Sequence, residues 1–126
     1  MIINTFDIDG VIFQGEYDGV YPGKNDIIVT GRSHEERAET EAMLAGKGIK
    51  NRVIFNPLPF DLKSRETSGR HKGNAIKKLR EEGHTVRIHF EDDEIQAREI
   101  NRIVPGIRVV LLANTPVPKE NVRHET

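Results

Sequence analysis

The chain has 126 residues, and its 19 Lys and Arg against 20 Asp and Glu leave a formal net charge of −1. That length suits one domain, expected to span residues 1–126, with a core large enough to fold without a disulfide or structural metal. The charge balance excludes a strongly basic nucleic-acid coat and an acidic tail, and the absence of cysteine excludes disulfide frameworks, cysteine-ligated zinc and thiol catalysis.

Five short runs rich in β-branched residues and bounded by Gly, Pro, Asn or Asp read as strands. In chain order they are Ile2–Ile8, Ile27–Thr30, Arg52–Phe55, Thr85–Phe90 and Ile107–Leu112. The second and fifth are almost continuously apolar, as strands covered on both faces are. Between the first two, residues 10–25 are rich in glycine and carry Tyr17, Tyr21 and Pro22, which predicts turns or a small hairpin. Ser33 followed by Glu36 has the form of a capping box. Ala38, Ala42 and Ala45 continue at helical spacing until Gly46 or Gly48. Asn56 to Gly69, with Pro57 and Pro59, reads as a long loop of the kind that often carries function. A second helix is expected over about Lys72–Glu82, with Ala75, Ile76 and Leu79 inward and Gly83 just past its end. A third begins near Asp92, turns Ala97, Ile100, Ile103 and Val104 inward, and stops at Pro105-Gly106. Residues 113–126, with Pro116 and Pro118, are expected to be a flexible tail.

Strands alternating with helices argue an α/β domain with a mainly parallel sheet. No apolar stretch approaches the ~20 residues of a membrane span, and Met1-Ile2-Ile3-Asn4 lacks the basic start of a signal peptide. With no cysteine to protect, a reducing, cytoplasmic setting is expected.

The chemistry concentrates at strand ends. Asp7 and Asp9 in Phe6-Asp7-Ile8-Asp9-Gly10-Val11 lie two residues apart just past the first apolar run, so they point the same way while strand geometry lasts. Glu91-Asp92-Asp93 follow the fourth run. Crowded carboxylates are costly without a cation, so two acidic clusters at strand ends suggest a hard divalent ion, Mg²⁺ in the first instance. In open α/β sheets ligands bind in the crevice outside those ends. The same acids can also serve merely as caps and turns. Thr30-Gly31-Arg32 offers a hydroxyl and an amide to a phosphate oxygen, though Thr-Gly is also an ordinary strand exit. Lys72 would neutralise charge beside a phosphate; most lone lysines are simply solvated. The five histidines show no metal-ligand spacing, and His89 between Ile88 and Phe90 reads as structural.

In this order the pieces resemble the haloacid dehalogenase superfamily of phosphohydrolases. The first motif is Asp-x-Asp-Gly-Val, here Asp7 to Val11. The second is an apolar strand ending in Thr, here Ile27 to Thr30. The third is a Lys near a helix start, here Lys72. The fourth is an apolar strand ending in acids, here Ile88 to Asp93. The resemblance covers about residues 2–112. It implies a Rossmann-like three-layer sandwich on a five-stranded sheet of order 5-4-1-2-3. It also implies an Mg²⁺-dependent phosphomonoesterase working through an aspartyl-phosphate. Asp7 would be the nucleophile, and Asp9 the acid and then base, kept protonated by its anionic neighbours. Thr30, Gly31 and Lys72 would hold the phosphoryl oxygens. Asp7, the Asp9 carbonyl and Asp92 would bind the metal, with Asp93 helping through a water.

The segments after the first two strands are too short for a cap domain, so a minimal, capless member is expected. An open site favours a large substrate, or an oligomer or partner protein that completes it. Capless phosphatases of nucleic-acid end repair are similar, which points to a nucleotide or a nucleic-acid 3′-phosphate end as substrate. Arg32, Arg37, Lys63, Arg65, Arg70 and Lys72 could then line a strand-binding edge, and Gln14, Tyr17 and Tyr21 could touch substrate. Two other readings use the same residues: a non-catalytic metal- and phosphate-binding regulatory module, and a phosphotransferase to an acceptor other than water.

Overall fold

A computed structural model describes residues 1–15 and 17–113; the tail expected from residue 114 onward lies outside the described residues. The chain opens with β1 (Ile2–Phe6), then a two-stranded antiparallel hairpin of β2 (Phe13–Gln14) and β3 (Tyr17–Asp18). β4 (Ile27–Ser33), α1 (Arg37–Gly46), β5 (Val53–Asn56), α2 (Arg65–Glu81), β6 (Thr85–Glu91), α3 (Glu94–Ile103) and β7 (Arg108–Leu111) follow. The main sheet runs β5-β4-β1-β6-β7 with every pairing parallel. The architecture is α/β and Rossmann-like. The order reads 7-6-1-4-5 over all seven strands where 5-4-1-2-3 was expected over five; the numbers differ because the hairpin inserts two strands into the chain numbering after β1. Among the described residues, no helix is long and apolar enough to cross a membrane.

Alternation along β4 divides the core between the two faces of the sheet. Ile27 and Val29 join Ile3, Ile76, Leu79, Val86 and Ile100 under α2 and α3. Ile28 joins Phe6, Ile8, Ile12, Leu44 and Ile49 on the face that α1 covers. All seven residues of β4 are buried, which explains its unbroken apolar reading.

Two boundaries differ from expectation. β4 runs on through Thr30-Gly31-Arg32 to Ser33, so these residues belong to the strand rather than to a turn before a helix. Ser33 then caps a 3-10 turn, His34–Glu36, by accepting from the Glu35 amide, and α1 starts only at Arg37. The larger difference is α2, which begins at Arg65, so the expected loop ends in helix and Lys72 sits about two turns inside it. Ser64 and Thr67 close a capping box at its start. Apolar periodicity missed this stretch because the face it turns to α3 is made of small residues. A Cβ on Gly69 would sit 2.8 Å from Glu99 Cβ and 2.9 Å from Gln96 Cα, and one on Gly73 would sit 2.9 Å from Ile103 Cβ.

Gly69→Ala should therefore destabilise the protein by about 1–3 kcal/mol through overpacking, despite the roughly 1 kcal/mol of helix propensity that alanine adds. Urea unfolding measures this. An unchanged or raised midpoint would contradict the close approach.

Candidate functional site

β1 and β6 are neighbours in the sheet, and both end at the same rim. Asp7 comes just past β1; its amide bonds to the Phe90 carbonyl at 3.1 Å, and its Oδ1 accepts from the Ile8 amide at 2.8 Å. The chain then winds tightly, with the Ile8 carbonyl accepting from the amides of Val11, Ile12 and Phe13. Gly10 has φ +82° and passes so close to β6's exit that a Cβ there would fall on the Asp92 carboxylate. Only glycine meets both demands without strain.

Oxygens of Asp7, Glu91 and Asp92 converge within 4.8 Å of one another. Lys72, fully buried, reaches this group from α2: its Nζ lies 3.0 Å from Asp7 Oδ2 and 2.7 Å from Glu91 Oε1. Three carboxylates gathered around one ammonium form an anionic group of the kind a divalent cation can join. The donors are hard oxygens, so the residues fit an ion of the Mg²⁺ or Ca²⁺ type. Glu91 is the most heavily engaged of the three. Oε1 accepts from Lys72 and His89, and Oε2 accepts from the amides of Asp92 and Asp93 at 3.1 and 3.3 Å. Those donors fill a carboxylate's usual acceptor sites, so Glu91 anchors Lys72.

His89 is a buried link in this network. Its Nε2 donates to Glu91 Oε1 at 3.1 Å, since an ionised carboxylate only accepts, and its Nδ1 shares a 2.8 Å hydrogen bond with Thr5 Oγ1. The structural reading of His89 agrees with this.

Two expected site acids are held elsewhere. Asp93 caps α3 through the Ile95 amide at 2.9 Å, and Arg65 grips both its oxygens at 2.8 Å. Asp93 is outside the converging group. Asp9 faces Arg32, whose Nε and Nη2 take its two oxygens at 2.9 and 2.8 Å. The expectation for Asp9 named only its anionic neighbours; the structure also sets the Arg32 guanidinium against both its oxygens. Arg32 itself is pulled down by burial, yet Asp9 beside it leaves it raised overall.

Thr30 is fully buried, and its Oγ1 accepts from the Arg32 amide at 3.0 Å. The Gly31 carbonyl accepts from Lys63 Nζ at 3.3 Å. The expected basic edge is largely consumed in pairs. Arg32 and Lys72 are buried, Arg65 holds Asp93, Arg70 reaches Glu99, and Arg37 reaches Glu41 and covers the Phe55 ring. On the hairpin, Tyr17 is exposed and Asp18 is tied to Lys47 at 3.1 Å.

Sequence reading passed over the clamp on Asp9 and the anchoring role of Glu91. Thr30-Gly31-Arg32 carried a signal for the first, since an arginine at the end of an all-apolar strand must bury its charge against an acid. The adjacency of Glu91 to Asp92 hid the second. No protein-family model matches the chain, and no curated protein matches it by sequence.

Lys72→Met should cost about 3–5 kcal/mol, because Asp7 and Glu91 lose the cation between them. Chemical denaturation measures it, and a neutral result would show that the buried ion pairs are unimportant. A pH effect follows from His71. Burial, then neighbouring Lys72, push this imidazole down from 6.5 to about 4, and its Nε2 is buried without a hydrogen-bond partner. Between these two values the unfolded chain binds the extra proton, so stability should fall as pH drops from 6.5 towards 4. The full effect is about 3 kcal/mol. His71→Gln should remove that component from a pH series of unfolding curves; an identical slope in the variant would contradict it.

Proposed function

We propose that this protein is a divalent-metal-dependent phosphomonoester hydrolase of the haloacid dehalogenase type, with Asp7 as phosphoryl acceptor. The observation that carries the reading is the meeting of Asp7 and Asp92 within 4.8 Å, with the Lys72 ammonium 3.0 Å from Asp7. A carboxylate attacking a phosphate dianion meets strong like-charge repulsion, which the Lys72 ammonium beside Asp7 and a bound divalent ion would offset. Of the four stretches that resemble the family, the first follows β1, the second ends β4, Lys72 lies within α2 and the fourth closes β6; Lys72 meets Asp7 and Glu91, and Arg32 of β4 meets Asp9.

In this reading an oxygen of Asp7 attacks phosphorus, the bond to the leaving oxygen breaks, and that oxygen takes a proton from Asp9. Water then attacks the phosphorus of the aspartyl-phosphate, the bond to Asp7 breaks, and Asp9 takes the proton. Alcohol and inorganic phosphate leave, and both side chains return to their starting state. Thr30, the Gly31 amide and Lys72 hold the phosphoryl oxygens. Asp7, the Asp9 carbonyl and Asp92 would hold Mg²⁺, with Glu91 behind them. When bound, the ion supplies charge neutralisation and a template for the phosphate. Asp93 drops out of the ligand set, since the α3 cap and Arg65 engage it.

A panel of nucleotides, 3′-phosphorylated oligonucleotides and sugar phosphates tests the reading. We expect Mg²⁺-dependent phosphate release from at least one class, abolished by chelation and reduced by about 10³-fold or more in Asp7→Asn. Turnover that survives in Asp7→Asn, or no turnover of any class with Mg²⁺ present, would overturn it.

A further inference from the structure

We propose that Arg32 is a positioning residue for this reaction: its guanidinium, braced by α1, aims the Asp9 carboxylate at the leaving oxygen of the substrate. The inference rests on the phosphohydrolase reading above. Arg32 is 1% exposed, whereas the Asp9 side chain is 24% exposed, so a buried anchor holds a group that faces the solvent side of the site. Every arm of the guanidinium has a partner. Nε and Nη2 take the two Asp9 oxygens, and Nη1 donates to Thr40 Oγ1 at 3.1 Å and approaches Met43 Sδ at 3.6 Å. Thr40 and Met43 both lie on α1, so the helix after β4 sets the plane of the fork. The main chain at Arg32 is held as well, through its amide on Thr30 Oγ1 at 3.0 Å.

Asp9 needs such a brace. It lies beyond the last residue of β1, outside the main sheet's ladder, in an isolated bridge with Phe13 and immediately before Gly10 at φ +82°. A proton donor must come within hydrogen-bond reach of the leaving oxygen, and an error of ~1 Å can cost about 10²-fold. A planar fork on both oxygens removes that freedom. The guanidinium takes two of the roughly four acceptor sites of a carboxylate, on the side facing Arg32. Lysine offers the charge without the fork.

The test compares kcat/KM for an alkyl phosphate with that for p-nitrophenyl phosphate, in the full chain with Mg²⁺. This ratio of constants reports the steps up to departure of the leaving group. An alkoxide needs the proton from Asp9, whereas nitrophenolate leaves without it. Arg32→Lys and Arg32→Met should lower the alkyl value by about 10²-fold or more and the aryl value by less than about tenfold. Thr40→Val, which keeps the ion pair and removes only the brace, should move the ratio the same way by a smaller factor. In an Asp9→Asn background, Arg32→Met should leave the ratio where Asp9→Asn put it. Equal losses on both esters, unchanged kinetics, or a further shift in the Asp9→Asn background would overturn the proposal while the hydrolase reading stands. Failure of the unmodified protein to turn over either ester, or of Asp7→Asn to abolish turnover, would overturn both.

Discussion

A single buried ammonium ties the fold to the site. Lys72 enters from the middle of α2 and bridges Asp7, past β1, and Glu91, at the end of β6. Taking three charges out of water is expensive, and their mutual attraction offsets that cost only when the geometry is good and other hydrogen bonds complete it. Here the completion is explicit. Glu91 also accepts from His89 and from two amides, Asp7 accepts from Ile8, and His89 shares a hydrogen bond with Thr5. The polar chain Thr5–His89–Glu91–Lys72–Asp7 thus runs from the sheet interior to its rim. β1, β6 and α2 must hold their register for it to close, which is why the glycine seam between α2 and α3 matters to the site as well as to the core.

The same electrostatics sorts the five acids of the rim. Asp9 and Asp93 each face an arginine that grips both their oxygens. Their charges are balanced in place, one by a fully buried guanidinium and one by a half-exposed guanidinium. Asp7, Glu91 and Asp92 instead converge on one another, with Lys72 among them. Asp92 over Asp93 follows from helix capping: Asp93 caps α3, and Asp92, one residue earlier, faces Gly10 instead.

Much of this was legible in the residues. The strands stood out because a parallel sheet covered on both faces needs uninterrupted β-branched runs, as in Ile27-Ile28-Val29. Asp7 and Asp92 stood out because two acidic clusters at strand ends together call for a cation, although either alone can be a cap or turn. What stayed hidden depended on partners far away in sequence. The first turns of α2 carry serine, threonine and glycine where an amphipathic helix would show leucine, and only the closeness of α3 explains them. Arg32 read as part of a basic strand-binding edge, because its neighbours in sequence do not say which acid it meets or that Thr40 and Asp9 enclose it. Glu91 read as one acid of three, and its four donors come from α2, from β6 and from the start of the loop into α3.

The most direct measurement is a crystal structure of the protein soaked with magnesium and beryllium fluoride, a mimic of a transferred phosphoryl group. The account requires beryllium bonded to an Asp7 oxygen, with magnesium touching both Asp7 and Asp92. Beryllium fluoride bound at another residue, or an ion that contacts Asp7 but not Asp92, would contradict it.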